Sequence, residues 1–335
     1  MRTDIQIGTI DTHTEGEPTR IIVSGLEDIR LKGGSVKEKR DTFKERYDWV
    51  RELLMKEPRG HNDMFGAVIV PPESKDADIG VFYIQNKGYL DMCGHATIGI
   101  ISAFVETGRV EEKSPIILET PAGLVKTWPE VEEGCVKKVT MRNVDSFVYG
   151  KKEINLKIRD KEIEITADIV YSGNTIALVD IKDLEIDLDT KNLELLIKYG
   201  LEIRKNLNDK LDLRHKITGE KDKVDITEFY EHRKNEPDRN VVIFADGSVD
   251  RSPCGTGTCA KMTHLYDKGE LDIDEKYEYE SIIGTIFEGR IVETREENDD
   301  TFVVNEISGS AYIISENTFY LDPNDPIIGF NIYQG

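Results

Sequence analysis

One short motif occurs twice in this chain, and the two copies constrain its fold more than any other feature. Cys93-Gly-His-Ala-Thr97 and Cys254-Gly-Thr-Gly-Thr258 share the pattern Cys-Gly-x-x-Thr and lie 161 residues apart in a chain of 335. Each follows a strand-like run. After the first, from Ala96, the side chains are apolar almost all round, as in a buried helix, and after the second a helix runs on through Met262, Leu265 and Tyr266. Each such stretch stops at a glycine, Gly108 and Gly269, as helices commonly do. A chain of this length exceeds what one compact core usually holds. A duplicated α/β domain, with one motif per half, is the expected architecture.

The remaining pattern fits that expectation. Strands are expected at 5–10 and 20–24 around a polar turn at 12–18, and again at 64–70 and 81–85. A charged helix is expected over 37–54, with Trp49, Val50, Leu53 and Leu54 on one side. Residues 115–180 alternate as strands do. An amphipathic helix is expected over 190–207, and further strands at 241–244, 277–283, 285–294 and 311–314.

Composition excludes several classes. With 44 Lys and Arg against 65 Asp and Glu the formal charge is −21, which disfavours nucleic acid and anionic membranes as partners. Residues 1–8 lack a signal-like apolar stretch, and no window approaches 18 apolar residues, so no membrane span is expected. Four cysteines without a Cys-x-x-Cys pair suggest neither a disulfide framework nor a zinc site. The expected setting is the reducing cytoplasm, and no metal or cofactor is expected.

The motif itself carries chemistry. A cysteine at a helix mouth sits beside backbone N–H groups that have no partner within the helix and that carry the positive end of its dipole. A glycine after it lets a ligand approach the backbone. That makes a carboxylate cradle next to a thiol, with the thiol pKa expected to be pulled down. Two such elements suit an α-amino or imino acid with Cα between two sulfurs. One thiolate removes the Cα proton, and the opposite thiol returns one to the other face. The amides stabilise the charge that builds on the carboxylate.

Each of these residues also has a plainer reading. A lone cysteine is often a buried hydrophobe; the matched contexts of Cys93 and Cys254 argue against that. Cys135 and Cys259 read as structural. His95 reads as a substrate contact, two residues after Cys93. Asp250 reads either as a turn residue or as the partner of a substrate ammonium. Asp11, His13, His61 and Asp63 match no metal-ligand spacing, and Gly255-Thr-Gly257 lacks the rest of a dinucleotide fingerprint.

At these residues the sequence resembles the proline racemase family. Asp91-Met-Cys-Gly-His-Ala-Thr-Ile-Gly99 and Asp250-Arg-Ser-Pro-Cys-Gly-Thr-Gly-Thr258 look like its two active-site motifs. The likeness extends to Pro58-Arg-Gly-His-Asn-Asp-Met-Phe-Gly66, Glu119-Thr-Pro-Ala-Gly123, Tyr279-Glu-Ser-Ile-Ile-Gly284 and Ser308-Gly-Ser-Ala-Tyr312. The resemblance implies an α/β (α+β) fold similar to diaminopimelate epimerase. It would have two pseudo-symmetric domains, each a curved, mostly antiparallel sheet around a central helix, with the site between them. Residues 1–130, rejoined by 312–335, would form one half and 131–311 the other. It implies a homodimer, no cofactor, and Cys93 and Cys254 as the acid/base pair. Gly94, His95, Gly255 and Thr256 would contact the substrate carboxylate, and Asp250 with His95 the ring nitrogen.

Three activities occur in that family. Trans-3-hydroxyproline dehydratases typically carry serine or threonine in place of one or both cysteines, and this chain keeps both. Proline racemases line the ring pocket with apolar and aromatic side chains. Phe65, Phe244 and Ile226 fall at such positions, where a ring hydroxyl would go unpaired at a cost of about 1–3 kcal/mol. Proline is therefore the expected substrate, with 4-hydroxyproline epimerisation as the alternative. A thiol hydrolase using Cys93 with His95 and a non-catalytic amino-acid-binding protein are further alternatives. Ser172-Gly-Asn-Thr175 departs from the family, which often has Gly-Gly and an aromatic residue there.

Overall fold

The computed structural model describes residues 5–158 and 161–332. Its contacts divide the chain into two compact units, Met1–Met141 with Gly309–Gly335, and Arg142–Ser308. The sequence reading put the junctions at 130/131 and 311/312.

The first unit holds strands β1 (Ile5–Thr14), β2 (Glu17–Ser24), β3 (Phe65–Val70), β4 (Ile79–Gln85), β5 (Gly88–Leu90), β6 (Ile116–Thr120), β7 (Gly123–Glu132) and β8 (Cys135–Arg142). Its helices are α1 (Val36–Arg46), α2 (Asp48–Met55) and α3 (Gly94–Glu106). The second unit holds β9 (Phe147–Ile158), β10 (Lys161–Tyr171), β11 (Thr175–Asp180) and α4 (Leu193–Lys210). The small hairpin β12 (Leu213–Arg214) and β13 (Lys221–Asp222) follows, then β14 (Ile226–Glu231), β15 (Asp238–Phe244) and β16 (Ser248–Val249). The unit ends with α5 (Gly255–Asp267), β17 (Tyr277–Glu280), β18 (Ile286–Glu297) and β19 (Asp300–Gly309). The chain returns to the first unit in β20 (Ala311–Leu321).

Strand pairing repeats one pattern in both units. The first runs β20-β1-β2-β3-β4-β6-β7-β8, antiparallel except at β2/β3 and β4/β6. The second runs β9-β10-β11-β14-β15-β17-β18-β19, antiparallel except at β11/β14 and β15/β17. The parallel steps fall at the same two places in each order. The duplication read from one five-residue motif is thus a duplication of topology.

Each unit wraps strands around one buried helix. α3 packs on β1, β2, β3, β7 and β20, and is buried from Gly94 to Phe104. α5 packs on β9, β10, β11 and β18, and is buried from Gly255 to His264. α3, buried on all sides, has no need of a polar stripe and its sequence lacks one, whereas α5 buries Lys261, Thr263 and His264 as well. Gly108 and Gly269, at φ +65° and +70°, end the two helices as expected. The outer helices are amphipathic instead. α4 buries Leu196, Tyr199, Gly200, Ile203 and Leu207, a helical spacing, against β9, β14 and β15. α2 buries Val50, Leu53 and Leu54, packed with Phe43 of α1 and Phe82 of β4.

Two local expectations change. The helix expected over 37–54 is two helices, because Tyr47 leaves the helical region at φ −131°. The turn expected over 12–18 is only Glu15-Gly16, both at positive φ, joining β1 to β2 with Thr14 paired to Glu17. That is a two-residue hairpin turn whose twist matches the strands. Among the described residues no helix is long and apolar enough to cross a membrane.

Candidate active site

Both motif cysteines are helix N-caps. Cys93 precedes α3 and Cys254 precedes α5. The motif threonine has the same task in each: Thr97 Oγ1 donates to the Cys93 carbonyl and Thr258 Oγ1 to the Cys254 carbonyl, both at 2.8 Å. This bond ties the first helical turn to the cysteine it follows.

In the first unit, Cys93 has ordinary extended dihedrals, φ −151° and ψ 111°. His95 Nδ1 lies 3.4 Å from its sulfur. Burial pushes the His95 pKa down to about 3, although a hydrogen bond to the Pro18 carbonyl opposes it. The ring is therefore neutral, with one N–H to give. That N–H serves the Pro18 carbonyl, which leaves an acceptor nitrogen for the Cys93 thiol. Phe65, the first residue of β3, packs edge-on against His95 with ring centres 4.7 Å apart.

In the second unit the backbone at Cys254 is unusual, with φ +62° and ψ 120°. A non-glycine residue rarely stays there without support. Support comes from Asp250, whose Oδ1 accepts from the Ser252 amide at 2.8 Å and from its hydroxyl at 2.7 Å. Ser252 Oγ in turn accepts from the Cys254 amide at 3.1 Å. Asn240 Nδ2 donates to the Pro253 carbonyl at 2.8 Å. The Cys254 sulfur accepts from the Gly257 amide at 3.4 Å and lies 3.6 Å from Thr256 Oγ1. Phe244 and Ile226 are directly paired across β15 and β14. Phe65 and Ile226 open corresponding strands and lie 161 residues apart, the spacing of the two cysteines.

The structure corrects one expectation about this half. The helix mouth was expected to lower the thiol pKa, yet Cys254 is pushed well up. Burial is the largest cause, followed by the negative charges of Asp250 and Glu228; the bonds from Thr256 and Gly257 oppose them but do not prevail. Asp250 is itself raised to about 6, chiefly by burial, with Ser252 and the Cys254 side chain opposing. Cys254 therefore stands as a neutral thiol near neutral pH.

Several neighbours escaped the sequence reading. Ser172 Oγ donates to the Thr256 carbonyl at 2.8 Å, and Asn174 Nδ2 to Thr256 Oγ1 at 3.4 Å. The segment 172–175, which departs from the family pattern, thus buttresses the first turn of α5. Glu228 and Tyr279 lie buried behind that turn, with the tyrosine hydroxyl donating to Glu228 Oε1 at 2.6 Å. Of the other cysteines, Cys259 is buried in α5, whereas Cys135, expected to be structural, is exposed at the start of β8. Asp11 is committed to Arg20, with Nη2 2.9 Å from Oδ2. Among the described residues no three His, Cys, Asp or Glu side chains converge as metal ligands.

Comparison with known proteins places the chain in a family. A model of the proline racemase family matches residues 9–331. A proline racemase of Acetoanaerobium sticklandii is 43% identical over 333 residues, covering 97% of this chain and 98% of that protein. One from Clostridioides difficile is 40% identical, covering 98% of each. Among solved structures, a hydroxyproline epimerase from Agrobacterium vitis, with bound trans-4-hydroxy-L-proline, superposes with a TM-score of 0.87. It is 26% identical and covers 98% of this chain and 96% of its own. The matched topology, the two cysteine-capped helices and these likenesses lead to one conclusion: the chain belongs to the proline racemase family.

Proposed function

We propose that the protein interconverts L- and D-proline without a cofactor, by a two-base mechanism in which Cys93 and Cys254 act on opposite faces of Cα. The observation that carries this reading is the pair of matched N-caps, each presenting a thiol beside the first-turn amides of its helix. Each half of the chain contributes one thiol. The amides after them, at Gly94, His95, Gly255 and Thr256, suit a carboxylate and the charge that builds on it. Asp250, raised only to about 6, is an anion at neutral pH and can face the cationic ring nitrogen. With Cys93 as the thiolate, the acceptor nitrogen of the neutral His95 ring is released for the substrate's ring nitrogen. Cys254 enters the cycle as the proton donor, and its partner Cys93 as the thiolate base. After one turnover the roles are exchanged, and the reverse reaction starts from that form.

Phe65, Ile226 and Phe244, all buried and all without a polar group, support an unsubstituted ring. The alternative is 4-hydroxyproline 2-epimerisation, favoured by the likeness to the hydroxyproline epimerase structure. Chiral chromatography after incubation with L-proline and with trans-4-hydroxy-L-proline separates the two. Turnover of proline supports the reading; turnover of the hydroxylated substrate alone overturns the apolar-pocket argument. The reading also makes the working unit a cytoplasmic homodimer, which sedimentation equilibrium tests.

A further inference from the structure

The internal repeat is broken at one buried place beside a thiol. The third residue of β3 is Ala67 and the third of α3 is Ala96, both fully buried. Their counterparts, third in β14 and third in α5, are Glu228 and Gly257. A carboxyl thus stands behind Cys254 where the other half has a methyl group behind Cys93.

Glu228 is wholly buried. Its Oε1 accepts from Tyr279, but its Oε2 is buried with no donor. That oxygen lies so near Gly257 that a Cβ there would collide with it. The Gly257 amide is the one that donates to the Cys254 sulfur. Asn240 lies diagonally across the β14/β15 pair from Glu228, on the same face, and is a hydrogen-bonding neighbour of the carboxyl. Its Oδ1 is also buried without a donor, while its amide nitrogen gives one of its two hydrogens to Pro253. Two neighbouring acceptors without a donor are costly. A proton on Glu228 Oε2 turns one of them into a donor.

We propose that Glu228 is a positioning residue for Cys254: as a neutral acid it permits the thiolate, and as a carboxylate it holds Cys254 as the thiol. Cys93, with Ala67 and Ala96 in the matching places, has no such control. This rests on the two-thiol reading for its catalytic meaning, though not for its test. The titratable groups that interact with Glu228 are Asp250, Cys254, Cys259, Lys261, Tyr277 and Tyr279. Burial pushes Glu228 up to about 7, with Tyr279, Asn240 and Lys261 opposing. Its ionisation therefore falls where the enzyme would work.

The test is the rate of iodoacetamide alkylation at each cysteine from pH 6 to 10, read by peptide mass spectrometry, in wild type, Glu228→Gln and Tyr279→Phe. Removing the charge should lower the Cys254 midpoint by about one unit, which is roughly tenfold faster alkylation below it. The Cys93 midpoint should not move. Tyr279→Phe, which removes the tyrosine's hydrogen bond to the carboxylate and keeps Glu228 neutral to higher pH, should shift Cys254 the same way. An unchanged Cys254 midpoint in both variants, or an equal shift at Cys93, overturns the proposal. Alkylation needs no turnover. A Cys254-specific shift in a protein that fails to racemise proline would therefore keep the proposal and sink the functional reading instead.

Discussion

The strained backbone at Cys254 can be measured by substitution. At φ +62° and ψ 120° a residue with a Cβ costs about 1–3 kcal/mol relative to relaxed backbone. Glycine escapes that cost but brings a more flexible unfolded chain, a loss of about 0.4–1 kcal/mol. Cys254→Gly should therefore be more stable than Cys254→Ala by about 1–2 kcal/mol. Comparing these two variants removes the sulfur and its Gly257 bond from both, so only the Cβ differs. Cys93 supplies the control. At φ −151° it carries no such strain, so Cys93→Gly should be less stable than Cys93→Ala, by about 0.5–1 kcal/mol. Urea unfolding with equal slopes reads both differences, and 1–2 kcal/mol is a midpoint shift of roughly 0.5 M. If alanine at 254 is as stable as glycine, the backbone there is not strained and Asp250 and Ser252 hold nothing against a cost.

Further outcomes follow from the same geometry. Cys93→Ser and Cys254→Ser should each lower racemisation by about 10²–10⁴-fold, because each removes one of two acid/base groups; a thiol hydrolase using Cys93 and His95 would tolerate the second. The pH–rate profile should be bell-shaped with no limb from His95, which stays neutral above about 3; a His95→Gln variant that loses one limb would refute this. Glu228 binds its proton more tightly folded than unfolded, so its stabilising contribution is full below about 4.5 and is lost as pH rises through about 7. Wild type should therefore lose stability over that window relative to Glu228→Gln, by up to about 3 kcal/mol in denaturant titrations. Asp11→Asn breaks a buried pair in which Arg20 Nη1 also donates to the Leu54 and Arg59 carbonyls. It should cost about 3–5 kcal/mol in the same assay.

What could be read from the sequence was local or periodic. Cys-Gly-x-x-Thr is legible because the cysteine, the glycine and the threonine act on one helical turn. The first central helix shows as an apolar run because nothing around it is water. Ile226-Thr-Glu-Phe-Tyr-Glu231, in contrast, reads as an ordinary strand, and nothing local marks Glu228 as facing a helix mouth. Its partner Tyr279 is 51 residues away, and Ser172 reaches Thr256 across 84. Only strand order brings these groups together. The positive φ at Cys254 is silent too, since no glycine stands there to announce it. The lowered thiol pKa was a helix-end argument. It failed for Cys254 because burial and two carboxylates, one of them distant in sequence, outweigh the helix end.

The central claim is that two thiols act on opposite faces of Cα, and L-proline in deuterium oxide tests it most directly. Chiral separation followed by mass spectrometry at low conversion reads the label in each enantiomer. The account predicts D-proline carrying one deuterium at Cα while the remaining L-proline keeps its protium. Equal labelling of both enantiomers would mean a single base serving both faces, and the absence of D-proline would mean that the protein is not a racemase of proline.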